Sequence, residues 1–83
     1  MKKFENSLKI LFQEYESRVP KSTNRISQMT NKLNFVASNS DNYTSDVNKL
    51  INDHIKTNKP NDSEIEDIKK LSKEYLAKFS TSL

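Results

Sequence analysis

The sequence predicts an all-α protein that folds as an antiparallel four-helix bundle. Apolar residues recur at helical spacing in four stretches, and polar or proline-containing links separate these stretches. No stretch alternates with the period of a β-strand. At 83 residues, the chain is the size of one small domain. We therefore predict one helical domain over residues 1–83, with helices at about residues 2–17, 23–38, 44–57 and 63–80.

The first two predicted helices each carry one apolar stripe. The stripe of the first helix contains Phe4, Leu8, Leu11, Phe12 and Tyr15. Pro20 disfavours helical geometry in the residue before it, so a turn should follow. Ser22 or Thr23 should then cap the second helix. We expect its stripe to face the core; this stripe contains Ile26, Met29, Leu33, Val36 and Ala37.

A cluster of polar residues at positions 38–42 predicts the end of the second helix. Asparagine, serine and aspartate bond their own backbone and favour turns, and Thr44 or Ser45 could cap a new helix directly afterwards. The stripe of the third helix then contains Val47, Leu50, Ile51, His54 and Ile55. Because the chain has no glycine, we expect Asn58 to be the left-handed residue that ends this helix before Pro60.

The fourth helix has the clearest local signal. Residues 63–66 have the form of a capping box that begins at Ser63 and ends at Glu66. Acidic side chains follow at the start of the helix and lysines toward its end, which is the order that the helix dipole favours. The inner face should contain Ile65, Ile68, Leu71, Tyr75, Leu76 and Phe79.

A helical hairpin that dimerises is the competing architecture, because a second chain can also complete narrow apolar stripes. We expect a monomer in preference to this dimer. The absence of cysteine excludes disulfides and fits a reducing cytoplasm. No apolar run approaches the roughly 20 residues that cross a bilayer.

The net charge of +3 and the pI of about 9.2 make the chain mildly basic. This surplus would attract the chain to an anionic membrane surface or an acidic partner. Only Arg18 and Arg25 are arginines, whereas a dedicated nucleic-acid binder usually carries a denser basic stripe. We therefore expect no nucleic-acid partner.

No catalytic, metal or cofactor site is predicted. His54 is the only histidine, and its helical phase indicates a packing or edge position. Glu64, Glu66 and Asp67 stand in the first turn of a helix, where stabilisation of the dipole accounts for them. We expect a protein that binds and is not an enzyme. Phe35 and Tyr43 are the aromatic residues that fit the stripes least well, although packing is still the simpler interpretation.

One segment carries a resemblance to a known family. Residues 32–43 read Lys-Leu-Asn-Phe-Val-Ala-Ser-Asn-Ser-Asp-Asn-Tyr, and residues 46–51 read Asp-Val-Asn-Lys-Leu-Ile. With the order of helices, the size and the basic pI, this chain resembles the immunity proteins of pediocin-like (class IIa) bacteriocins, which include the enterocin A immunity-like proteins. In that family, a helix that ends in a Lys-Leu pattern leads through a polar turn into a third helix.

The resemblance implies a cytoplasmic protein that can contact the membrane surface and protects a bacteriocin producer. Its partner would be the membrane mannose phosphotransferase receptor with bound bacteriocin. Specificity in the family is attributed to the C-terminal half. For this chain, that implies partner contacts at Lys70, Lys73, Lys78 and Leu83.

Two other functions stay open. A helical adaptor or inhibitor, of the phage or secretion-chaperone type, would have its apolar stripe completed by another protein. A nucleic-acid-binding protein would use the cations of the second helix and the link before it, which are Lys21, Arg25 and Lys32.

Overall fold

The fold was obtained as a computed structural model that describes residues 2–82. It contains three α-helices: α1 (Lys2–Ser17), α2 (Arg25–Asn58) and α3 (Asp62–Ser82). No β-strand occurs within residues 2–82. Each helix packs against the other two, and the molecule is elongated, with extents of 47 × 20 × 17 Å. The prediction of an all-α protein is confirmed.

Contacts between aromatic rings define the directions of the helices. Near the end of α1, the ring of Tyr15 lies 5.0 Å from that of Tyr43 in the middle of α2. Near its start, the ring of Phe4 lies 5.2 Å from that of His54. The α1 helix is therefore antiparallel to α2. Phe79, near the end of α3, also lies against Tyr43, so α1 and α3 both end at the same level of α2.

The prediction of four helices is wrong, because the second and third predicted helices form the single helix α2. The polar cluster at positions 38–42 lies inside it, as do Thr44 and Ser45. Asn39 Nδ2 donates to the backbone oxygen of Phe35 at 2.9 Å, and Ser40 Oγ donates to that of Val36 at 2.6 Å. These side chains bond the carbonyl groups of the preceding turn, so they are satisfied without ending the helix.

The core-facing side of α2 continues through this polar cluster. Val36, Ser40, Tyr43 and Val47 follow one another at spacings of four, three and four residues, which keeps them on one side of the helix. Tyr43 and Val47 are fully buried. A break at positions 38–42 would turn these two side chains out of phase with the preceding stripe, so their burial favours the continuous helix. Tyr43 is therefore a core residue, and the interpretation of this side chain as a packing residue is confirmed.

The caps of α2 each lie one or two residues beyond the predicted ones. Asn24, and not Ser22 or Thr23, caps the start: its Oδ1 accepts from the amides of Ile26 (2.9 Å) and Ser27 (3.2 Å). At the other end the left-handed residue is Lys59 (φ 45°, ψ 59°), whose amide donates to the Ile55 oxygen, and not Asn58. Asn58 Nδ2 instead donates to the His54 oxygen at 3.2 Å.

The capping box of α3 lies two residues before the predicted one. Asn61 Oδ1 accepts from the amide of Glu64 at 2.9 Å, and Glu64 Oε1 accepts from the amide of Asn61 at 3.4 Å. The pair satisfies two amides that the helix start leaves without partners. The box predicted at Ser63 and Glu66 is wrong, because α3 already begins at Asp62.

Three aromatic rings hold the helices together. Tyr43 of α2 stacks on Phe79 of α3 with a centroid separation of 4.2 Å and an interplanar angle of 4°. Tyr15 of α1 meets both rings edge-on, at 5.0 Å and 5.7 Å. Burial of such side chains contributes about 2–3 kcal/mol each, and the ring contacts add to it. We call Tyr15, Tyr43 and Phe79 the aromatic cluster.

The remaining core extends from this cluster toward Phe4 at the start of α1, and it includes Val19, which follows the end of α1. Fully or nearly buried apolar side chains form it together with the aromatic cluster: Phe4, Leu8, Val19, Val47, Ile68 and Tyr75. Ser72 is also buried, and its Oγ donates to the Ile68 oxygen at 2.7 Å.

The double substitution Asp41→Ala and Asn42→Ala should stabilise the protein. Both side chains are exposed inside α2, where aspartate and asparagine are each up to about 0.7 kcal/mol less favourable than alanine. We expect a gain of about 1 kcal/mol, measured as the free energy of unfolding in urea. As a control, Asn24→Ala should cost about 1 kcal/mol because it removes a real cap. A loss of stability in the double variant would indicate a turn at this position.

Substitution of Tyr43 by phenylalanine should raise the melting temperature. The buried Tyr43 hydroxyl has no hydrogen-bond partner among residues 2–82, and such a group costs about 1–3 kcal/mol. Tyr15→Phe is the matched control, because Tyr15 OH donates to Asp46 Oδ2 at 2.5 Å. This second variant should be destabilised. Equal effects of the two substitutions would contradict the assignment of hydrogen bonds.

Candidate functional site

The lysines that the resemblance implied as partner contacts are all exposed on α3. Lys70 and Lys73 lie about one turn apart, whereas Lys78 is rotated by about 80° around the helix axis from Lys70. The Lys78 ammonium lies 5.0 Å from the ring centroid of Tyr75, within the range of a cation–π contact. The three lysines therefore do not form one compact basic patch. Leu83 lies outside the described residues.

His54 and two acidic residues of α3 have structural roles. The ring of His54 packs against Phe4, and its Nδ1 lies 3.1 Å from Asn58 Nδ2. The predicted packing position of His54 is confirmed. Glu64 belongs to the capping box, and Glu66 lies 3.9 Å from Lys69 in an exposed ion pair. Among residues 2–82, no group of three or more His, Cys, Asp or Glu side chains could hold a metal ion.

Exposed apolar side chains at the start of α2 are the feature that packing does not explain. Ile26, Met29 and Leu33 are 76%, 61% and 69% exposed, so the prediction that they face the core is wrong. We call these three residues the exposed α2 stripe. They lie at i, i+3 and i+7 and therefore share one side of the helix.

The stripe is exposed because α1 and α3 end too early to cover it. It continues the side of α2 on which Val47 is buried, because Ile26, Met29 and Leu33 all lie within about 60° of Val47 around the helix axis. The ring of Phe35 lies 6.4 Å from both Tyr15 and Phe79, near the ends of the two packing helices. The first two turns of α2 thus extend past the helices that form the core.

The link between α1 and α2 does not cover the stripe. Asn31 Nδ2 donates to the Pro20 oxygen at 3.2 Å, and the Ser22 amide donates to Gln28 Oε1 at 2.6 Å. Gln28 and Asn31 lie roughly opposite the stripe around the axis of α2. The returning chain therefore packs on the other side of this helix.

A groove lies where the exposed stripe meets the end of α3. It has a volume of about 210 Å³ and is lined by Met29, Lys32, Leu33, Val36, Phe79, Ser80 and Thr81. Phe79 is only 2% exposed, and Leu33 is 69% exposed. The groove thus joins a largely exposed apolar edge to the buried aromatic cluster. We call it the α2–α3 groove.

The chain segment that carries the exposed α2 stripe has charge of only one sign. The sequence has no acidic residue between Glu16 and Asp41, whereas Arg18, Lys21, Arg25 and Lys32 lie in this interval. Arg25 directly precedes Ile26, and Lys32 directly precedes Leu33. The arrangement offers an apolar strip with cations beside it, which suits a partner that combines apolar and acidic groups.

Sequence reasoning found these apolar residues but assigned them to the core. Periodicity identifies the side of a helix that is apolar, but it contains no information about how far a packing helix reaches. The absence of acidic residues over positions 17–40 was the available signal that this part of α2 differs from the rest. Of the predicted candidates on α3, only Lys78 directly precedes a residue of the groove, which is Phe79.

Buried tyrosines are the titratable groups with shifted pKa values. Burial, followed by the hydrogen bond to Asp46 and the charge of Asp46, raises the pKa of Tyr15 to about 12, although Arg18 opposes this shift. Burial and two neighbouring tyrosines raise the pKa of Tyr43 to about 12. Both groups belong to the aromatic cluster, so packing in the core is the main cause of these shifts.

Comparison of the chain with known protein families, with curated proteins and with solved structures found no match in any of the three. Within the described range of 2–82, none of the helices combines the length and the apolar character that crossing a bilayer requires.

The protein should lose stability as the pH rises from about 10 to 12. The pKa of Tyr43 is about 12 in the folded protein and 10.0 as the unperturbed value, so the unfolded chain ionises first. Below pH 10 the buried phenol is neutral in both states and stability is retained. Urea denaturation at pH 9 to 11.5 measures the decline.

Tyr43→Phe is the control for this pH dependence. This substitution removes one tyrosine that ionises more readily in the unfolded state. The stability of the variant should therefore decline less steeply with rising pH than that of the parent protein. All other ionisable groups are common to both proteins, so their effects cancel in the comparison. Identical slopes would contradict a raised pKa at Tyr43.

Proposed function

We propose that this chain acts by binding another protein through the exposed α2 stripe and the α2–α3 groove. The observation that carries the proposal is the exposure of Ile26, Met29 and Leu33 on one side of α2. Single exposed apolar side chains are common on protein surfaces, but a contiguous row beside a groove is typical of an interaction surface. Covering this row with a partner would remove it from water and favour association.

The immunity hypothesis gives this binding a specific biological role. We propose protection against a pediocin-like bacteriocin, by binding of the toxin-bound mannose phosphotransferase receptor from the cytoplasmic side. The segment that carries the family resemblance includes Lys32 and Leu33, and both residues line the α2–α3 groove. The other wall of the groove is formed by Phe79, Ser80 and Thr81, in the C-terminal half to which the resemblance attributes specificity.

The structure contradicts one feature of the resemblance, which is the polar turn. The polar turn expected after Lys32 and Leu33 is absent, because positions 38–42 continue α2. Support for the immunity role therefore comes from the side chains of this segment and not from its backbone. Contact of the basic surface with the anionic inner leaflet would bring the chain close to a membrane receptor, at about 1 kcal/mol for each lysine or arginine near the surface.

A helical adaptor or inhibitor is the second candidate, and the exposed stripe also favours it. Such a protein leaves one apolar face for another protein to complete, as Ile26, Met29 and Leu33 would require. The two candidates share the surface and differ in the identity of the partner. Protection against a toxin distinguishes them.

Expression in a bacteriocin-sensitive strain tests the proposal. Cells with the parent protein should survive a panel of pediocin-like peptides, and Leu33→Asn should lose most of this protection because the polar amide disrupts the apolar row. Ile10→Asn is the matched control, since Ile10 is 56% exposed on α1 and lies outside the groove. It should protect as the parent does, and immunoblots should show equal amounts of all three proteins.

The outcomes separate the parts of the proposal. Unchanged killing of cells with the parent protein would exclude the immunity role against that panel. Full protection by Leu33→Asn would exclude the groove as the binding surface. In that case, charge reversal at Lys70, Lys73 and Lys78 would test the partner contacts that the resemblance implied on α3.

A further inference from the structure

The exposed α2 stripe and its continuation have the spacing of a helix-pairing seam. Ile26, Met29, Leu33 and Val36 lie at i, i+3, i+7 and i+10, which are alternate a and d positions of a heptad pattern. This row extends for about 15 Å along α2. It also continues the side of α2 that α1 and α3 cover farther along. The uncovered part of this side therefore has the apolar spacing against which another helix packs.

Charged residues stand on one flank of this seam. In the same heptad pattern, Arg25 and Lys32 occupy g positions, while Thr30 and Ala37 occupy the e positions on the other flank. Side chains at these positions meet the flank of a paired helix and decide which partner is accepted. Two cations without an acidic neighbour from Ser17 to Ser40 would therefore select carboxylates.

A second copy of the chain lacks these carboxylates. In an antiparallel pair of α2 seams, Arg25 and Lys32 would face the same cations of the other copy, which is unfavourable. In a parallel pair they would face Thr30 and Ala37, which carry no charge. Neither arrangement gives the cations an acidic partner, so the charge pattern favours a different protein.

We infer that the α2–α3 groove and the adjoining stripe bind the apolar face of an acidic amphipathic helix in the partner protein. The bound helix contributes about three turns, with leucine-like side chains against Ile26, Met29 and Leu33 and carboxylates beside Arg25 and Lys32. This inference rests on the proposed protein-binding function and names the class of structure that is recognised.

Binding of synthetic peptides tests the recognised class directly. The probe is a fluorescent amphipathic peptide of about three helical turns, with leucine at a and d and glutamate at e and g. A matched peptide carries lysine at e and g, and a scrambled peptide keeps the composition of the acidic probe. Fluorescence anisotropy at low and high salt then compares the affinities. The full chain should bind the acidic peptide at least about tenfold more tightly than the other two.

Variants of the chain assign the binding to this surface. Leu33→Asn should weaken the binding of the acidic peptide by about tenfold or more, as expected for the loss of an anchor side chain. The double variant Arg25→Glu and Lys32→Glu should reverse the preference toward the lysine peptide. The double variant Lys70→Glu and Lys73→Glu changes the net charge by the same amount at positions outside the groove. It should have little effect on peptide binding, as should Ile10→Asn. Circular dichroism melts establish that each variant is folded.

Several outcomes would overturn the inference. These are equal binding of the acidic and basic peptides, no binding of either, or an unchanged preference after the double charge reversal. Sedimentation equilibrium that shows a dimer disrupted by Leu33→Asn would identify a second copy as the occupant. Stronger binding to vesicles of anionic phospholipid than to the acidic peptide, lost in Leu33→Asn, would identify a membrane surface.

The peptide and survival experiments can fail independently. If Leu33→Asn abolishes protection of cells but the acidic peptide does not bind, the protein-binding function is supported and recognition of an acidic helix is contradicted. If the acidic peptide binds as expected but the parent protein does not protect cells, the immunity role is contradicted and recognition of an acidic helix is supported.

Discussion

The stacked pair of Tyr43 and Phe79 is the contact on which the rest of this fold depends. It joins the middle of α2 to the last turns of α3, and the ring of Tyr15 from α1 packs edge-on against both rings. Because one side chain from each helix meets at this point, the register of both packing helices on α2 is set there. Both α1 and α3 therefore end near the level of Phe35. Beyond this level, only the last residues of α3 lie beside α2, across the α2–α3 groove.

The length of α2 then creates the candidate binding surface. A helix of 34 residues pairs with partners of 16 and 21 residues, so its first turns project beyond the aromatic cluster. Ile26, Met29 and Leu33 lie on the core-facing side of α2, but no other helix buries them. The surface is thus a continuation of the core, and this explains why its side chains have the spacing and character of core residues. Cations beside it add the selectivity that apolar contact alone lacks.

Local signals located α1 and the start of α3 to within one residue, because Pro20 and Pro60 restrict the backbone next to them. The same signals misplaced a boundary at positions 38–42. Asn39 and Ser40 have the composition of a turn, yet each can bond a carbonyl group of the preceding helical turn. The difference between these two local solutions is a fraction of a kcal/mol per residue. Burial of Tyr43 and Val47 contributes several times more and favours the helix.

The sequence by itself determined that the chain is helical, which side of each helix is apolar, and that residues 17–40 carry positive charge without acidic neighbours. Only the tertiary structure decided that one long helix replaces two short ones, and that Ile26, Met29 and Leu33 are exposed while Tyr43 is buried. The physical reason is that periodicity and capping are properties of neighbouring residues. Burial depends on where other helices end, and that is set by contacts between residues far apart in the chain.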